Sequence, residues 1–76
     1  MNREEKTMNI RNLKYGERLV STHPLGYGEV TIRTGFDGMY QQSYSYNGHY
    51  RESTINESYA QSLLDNNGYD WRLETK

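Results

Sequence analysis

Two dipeptides, Asp37-Gly38 and Asn47-Gly48, divide the stretch from Val30 to Ser53 into three runs of strand-type residues. Asp-Gly and Asn-Gly readily supply the paired left-handed conformations of a type I′ turn, whose twist matches that of the strands it joins. The stretch therefore reads as a three-stranded antiparallel meander, which restricts the chain to folds built on an antiparallel sheet. If both turns are two-residue hairpins, Phe36 pairs with Met39 and Tyr46 with His49. Alternation then gathers Val30, Ile32, Thr34, Phe36, Met39, Gln41, Ser43, Ser45 and Tyr50 on one face, the expected core face. The other face collects Thr31, Arg33, Tyr40, Gln42, Tyr44, Tyr46, His49 and Arg51. A bulge in the middle strand would exchange the sides of everything beyond it.

A chain of 76 residues is one small domain, residues 1–76, with a thin core. It has no cysteine and only two histidines, so neither a disulfide framework nor a zinc cage is available to staple it. No cofactor or metal is expected. The mean hydropathy of −1.12 would suit a disordered chain, but the net charge is only −1 and eight of the ten aromatic residues are tyrosine. Tyrosine takes the place of aliphatic side chains as core and contact material, because it combines apolar area with a hydroxyl that water can satisfy. No apolar run is long enough to span a membrane, and no secretion signal is visible. A cysteine-free chain fits a reducing compartment, so a soluble cytoplasmic protein is the expectation.

Residues 1–6 are polar and expected to fray. Asn9 can cap a single helical turn that ends by Gly16. Glu17 to Thr22 reads as a short strand closed by His23-Pro24. Leu25-Gly26-Tyr27-Gly28 reads as a tight turn; its G-x-G spacing lacks the third glycine or the lysine of a phosphate-binding loop. Thr54 and Glu57 have capping-box spacing and would open a helix. That helix would carry Ile55, Tyr59, Ala60, Leu63 and Leu64 on one stripe and end at Asp65-Asn66-Asn67-Gly68. Tyr69 to Glu74 alternates as a half-buried strand. The fold class expected is α+β: a small curved antiparallel sheet, β-β-β-β-α-β, with one helix packed on it.

Tyr15-Gly16-Glu17-Arg18-Leu19-Val20 followed by His23-Pro24-Leu25-Gly26-Tyr27-Gly28-Glu29-Val30 resembles the first hairpin of small SH3-like, Tudor-type barrels. That resemblance implies a docking module without catalysis. The chain departs from the pattern in having Ser21 and Thr22 before His23, and a helix where those barrels have a 3-10 turn.

His23 and His49 are the available bases, and Ser21, Ser43 and Ser45 the nominal nucleophiles, but no nucleophile elbow surrounds any of them. Asp65 to Asp70 lacks the spaced acidic ladder of a calcium loop. A non-enzymatic role is expected. Arg33, Tyr40, Tyr44, Tyr46, His49 and Arg51 combine rigid amphipathic rings with arginine, the residue types of binding hot spots. Three readings follow. The rings could fill pockets on a protein partner, as in a small stoichiometric inhibitor or adaptor. Phage and mobile-element proteins that block host defence, anti-CRISPR proteins among them, have this form and would act in the host cytoplasm. The rings could instead stack the bases of a nucleotide or single-stranded nucleic acid, with Arg33 and Arg51 on phosphates. Or they could simply pack across strands, with Arg51 on Tyr44 as a cation–π pair. Near-neutral charge favours protein over nucleic acid, since affinity for phosphates needs an excess of cations. A homodimer through an edge strand or the Trp71 strand is also compatible with the pattern.

Overall fold

The computed structural model describes residues 8–75, so the fraying expected of residues 1–6 lies outside the described residues. A 3-10 turn at Ile10–Asn12 precedes β1 (Glu17–Thr22), β2 (Glu29–Thr34), β3 (Tyr40–Tyr46), β4 (His49–Ile55), α1 (Glu57–Leu64) and β5 (Arg72–Thr75). Every strand pairing is antiparallel, and the strand order is β4-β3-β2-β1-β5. The fold is a small α+β domain, one helix on a curved antiparallel sheet. β1 and β2 form the first hairpin, with Leu19 opposite Ile32 and Ser21 opposite Val30. β4 and β5 lie at opposite edges of the sheet, which is therefore open.

Both meander turns adopt the expected left-handed pairs, with φ of 56° and 74° at Asp37 and Gly38 and 57° and 84° at Asn47 and Gly48. The second is a clean hairpin in which Tyr46 faces His49. At the first, Met39 N–H donates to the Phe36 carbonyl at 2.9 Å, but the next bond runs from Gly35 N–H to the Met39 carbonyl, also at 2.9 Å. Gly35 and Phe36 thus both oppose Met39, and Phe36 is the extra residue of a bulge. The bulge moves the register by one residue: Thr34 faces Tyr40, Ile32 faces Gln42 and Val30 faces Tyr44.

A one-residue slip turns every side chain of the partner strand to the other face. The expected division of faces is corrected accordingly. Tyr40, Gln42, Tyr44, Tyr46, His49 and Arg51 lie on the same side as Val30 and Ile32. Gln41, Ser43, Ser45 and Tyr50 lie with Arg33 on the other. Phe36, expected in the core, is 90% exposed at the hairpin tip.

The core joins Leu19, Ile32, Tyr40 and Ile55 of the sheet to Ile10 of the 3-10 turn, Leu13 just after it and Ala60 of α1, with Leu63, Leu64 and Trp71 packed at its margin. Removing a side chain such as Ile32 from water contributes roughly 1.5–3 kcal/mol. Asn9 caps the 3-10 turn, accepting from Arg11 N–H. The capping box does not form, because Thr54 and Ile55 remain in β4, where the Thr54 hydroxyl donates to Gln41 Oε1 at 2.7 Å. Asn56 caps α1 instead, accepting from Tyr59 N–H at 2.8 Å, while Glu57 meets Arg11. Ala60 is fully buried and lets the helix approach closely, whereas Tyr59 of the expected stripe is half exposed. Gln61 ties α1 to the 3-10 turn, accepting from Ile10 N–H at 2.9 Å and donating to the Met8 carbonyl at 2.8 Å. The last strand starts at Arg72 rather than Tyr69.

The β1–β2 loop folds onto β3 at Gly28, which has φ +96°; a Cβ there would lie 2.0 Å from the Ser45 carbonyl oxygen. Gly26 also has positive φ, +79°, but faces open space. Gly26→Ala is expected to cost roughly 1–2 kcal/mol from its left-handed backbone alone. Gly28→Ala should cost more, about 3 kcal/mol or above, since the loop must also lift from β3. Urea midpoints of the two variants check the order.

Candidate functional site: an aromatic end of the helix-bearing face

The helix-bearing face has two halves. α1 and the 3-10 turn cover Leu19, Ile32, Tyr40 and Ile55. Further along the same strands lie Val30, Tyr44, Tyr46, His49 and Arg51, and there the β1–β2 loop and the segment after α1 bring in rings of their own. His23 is the hub: its ring centroid lies 5.8 Å from Tyr44, 5.7 Å from Tyr27 and 6.1 Å from Tyr69. Tyr27 meets Tyr46 edge-on at 5.6 Å, and Tyr69 stacks on Trp71 at 5.0 Å. Edge-to-face and offset contacts suit the ring quadrupole, so the cluster holds its rings in defined orientations. His23 Nδ1 accepts from Leu25 N–H at 3.1 Å, which holds the ring against its own loop.

Exposure grades across the cluster. His23, Tyr44, Tyr69 and Trp71 are half-buried, while Tyr27 and Tyr46 keep 47% and 42% of their surface in water. Burial, then the neighbouring Tyr59 and Tyr44, raises the Tyr69 hydroxyl above its ordinary pKa, so it stays protonated and can donate.

Of the residues expected to form the site, Tyr44, Tyr46, His49 and Arg51 are brought together, with Tyr44 opposite Arg51 and Tyr46 opposite His49. Tyr40 shares their face but is only 8% exposed, and its hydroxyl lies 3.5 Å from the Ile10 carbonyl oxygen; it belongs to the core. Arg33 lies on the opposite face and pairs with Glu52. His23, Tyr27 and Tyr69 were not among the expected residues. His23 and Tyr27 lie in the β1–β2 loop, which offers no strand alternation to follow, and Tyr69 reads from the sequence as the start of a half-buried strand, whereas β5 begins only at Arg72. The density of aromatics around His23-Pro24 and Tyr69-Asp70-Trp71 is the available signal.

The opposite face satisfies itself. Arg18 pairs with Glu74, and the Thr31 and Ser43 hydroxyls bond to each other. Of the nominal nucleophiles, Ser21 is fully buried and bound to Asp70, and Ser43 is bound to Thr31. Among the described residues no three His, Asp or Glu side chains converge to hold a metal ion. No helix among them is long and apolar enough to cross a membrane. No protein-family model matches the chain, and neither a curated protein nor a solved structure shows detectable similarity to it.

Asp70 fastens the Tyr69–Trp71 segment to the sheet. Its Oδ1 accepts from the Ser21 hydroxyl at 2.9 Å and from Thr22 N–H at 3.2 Å, while Asp70 N–H donates back to Ser21 Oγ at 3.0 Å. The Ser21 hydroxyl, then the Thr22 amide, hold the carboxyl below its ordinary value of 3.8. A pKa lowered in the folded state adds stability that is fully present above the unfolded value and disappears as pH falls through the folded one. Asp70→Asn should therefore melt below the wild type at neutral pH, with the gap closing as both are titrated to well under pH 3.8. Circular dichroism melts across that range check the sign.

Proposed function

We propose that this protein is a non-catalytic recognition module, a stoichiometric inhibitor or adaptor, that engages a protein partner through the aromatic end of its helix-bearing face. The observation that carries this reading is the pair Tyr27 and Tyr46, held edge-on at 5.6 Å yet each more than two-fifths exposed. Such rings are already ordered, so a partner that covers them gains apolar contact without the full entropic cost of immobilising them. Arg51 and His49 lie beside them on β4, and Arg51 makes no ion pair with a described residue. Half-exposed tyrosine next to an available arginine is the composition of an interface hot spot.

The same rings could stack nucleic-acid bases, but the balance of 9 Lys and Arg against 10 Asp and Glu offers little to neutralise a phosphate backbone. Tyr27→Ala/Tyr46→Ala is expected to abolish partner capture in pull-downs from lysate of the source organism. Loss of the edge-on contact, worth about 0.5–1.5 kcal/mol, should lower its melting temperature by about 2–12 °C, since 1 kcal/mol moves a domain of this size by about 4–8 °C, and the variant should remain folded. Tyr40→Ala, by contrast, should cost about 3–5 kcal/mol and act through folding. Capture that survives nuclease and raised salt marks a protein partner; capture lost to nuclease would transfer the site to nucleic acid.

A further inference from the structure

Resting on that reading, we propose that β4 is the docking edge for an extended acidic segment of the partner, which adds to the sheet as a strand beyond β4. β4 is the outermost strand, seven residues long, and six of the seven are exposed. Among the described residues nothing pairs with its outer side. It has no proline, no lysine and no bulge, its pairing with β3 is unbroken from His49 to Ile55, and its charged side chains are Arg51 and Glu52. β5, the opposite edge, is four residues long.

The hydrogen-bonding direction follows from the turn. Tyr46 and His49 close a two-residue hairpin, so His49, Arg51, Ser53 and Ile55 direct their amides to β3. Tyr50, Glu52 and Thr54 direct theirs outward, and these are the groups an incoming strand would pair with.

Charge selects the occupant. On the helix-bearing face the edge presents His49, Arg51 and Ser53 next to Tyr46, Tyr44 and Gln42, with no carboxylate in either row. On the other face Glu52 is already paired with Arg33. The uncompensated charge along this edge is therefore Arg51, and a residue of an added strand would stand about 4.5–5.5 Å from it. A second copy of the chain meets like charge in the register of greatest overlap. Pairing two β4 edges antiparallel about Arg51 sets arginine against arginine, and the fully overlapped register centred on Glu52 sets glutamate against glutamate, each destabilising. A foreign segment with acidic side chains at alternate positions meets Arg51 and places the residues between them beside Tyr50.

The probe is a blocked peptide of alternating valine and glutamate long enough to span β4, with its valine–lysine counterpart as control. Hydrogen exchange of the full chain is read by NMR. The amides of Tyr50, Glu52 and Thr54 should slow about tenfold or more with the glutamate peptide and little with the lysine peptide. Arg51→Glu should reverse the preference. Glu52→Pro removes an outward N–H without touching the ladder to β3, so it should abolish the effect, while Glu52→Ala keeps it. Continued protection of the Arg51 and Ser53 amides verifies that the proline variant is folded.

Absence of slowing with either peptide, equal slowing with both, or slowing that appears without peptide and grows with protein concentration would each overturn the proposal. If Tyr27→Ala/Tyr46→Ala loses partner capture while the edge amides stay unresponsive, strand addition falls and recognition by the rings stands. If the edge responds but the double variant still captures its partner, the opposite holds.

Discussion

The hydrogen bond from the Gly35 amide to the Met39 carbonyl decides which side of β3 faces the helix. It places two residues opposite Met39, and because side chains alternate along a strand, that one extra residue determines the surroundings of every side chain from Tyr40 to Ile55. Tyr40 and Ile55 enter the core beneath α1 and the 3-10 turn. Tyr44 and Tyr46 come under the loop aromatics, and Phe36 is released to solvent. With Phe36 opposite Met39, the helix would instead have met Gln41, Ser43 and Ser45, a polar surface that could not bury it.

A small domain without disulfide or metal must distribute its apolar burial, and this one does so chiefly in two adjoining patches on one sheet face, with Val20 buried on the other. The first is aliphatic and is closed by α1 through Ala60, Leu63 and Leu64. The second is aromatic and is closed by loops, which cannot supply a continuous apolar stripe but can each supply a ring. Trp71 joins the two, with its Nε1–H donating to the Leu63 carbonyl at 3.1 Å and its ring stacked on Tyr69. Rings with polar edges tolerate partial hydration, so the aromatic patch grades into solvent without an abrupt apolar boundary. That gradation is what makes it suitable for recognition: the half-buried rings hold the half-exposed ones in place. Arg51 and the outer edge of β4 adjoin the same patch, so aromatic contact and strand addition would occur on one continuous surface.

Much of this architecture was legible in the residues. Local chemistry decides turns, caps and strand runs: Asp37-Gly38 and Asn47-Gly48 took their left-handed conformations, Glu17–Thr22 formed a strand, Asn9 capped the 3-10 turn, and the order of elements followed. The pairing of Tyr44 with Arg51 and of Tyr46 with His49 could be counted because nothing interrupts that hairpin. Gly35 was the one local hint of a bulge, an isolated glycine at a strand end, where a Cβ would sit 3.3 Å from the Met39 carbonyl oxygen. The choice between Thr54 and Asn56 as helix cap turned on where β4 stopped, which its pairing with β3 settled.

The sequence by itself determined the α+β class, the punctuation of the meander and the supply of tyrosine in place of aliphatic core. Only the tertiary structure decided which tyrosines are core and which are surface. Register is a relation between strands, and a single bulge reverses it. The cluster around His23 likewise depends on contacts between residues far apart in the chain: Tyr27 with Tyr46, His23 with Tyr69, and Asp70 with Ser21. Those contacts exist because the sheet brings β1, β3 and the segment before β5 to the same end of one face, a proximity that no local pattern encodes.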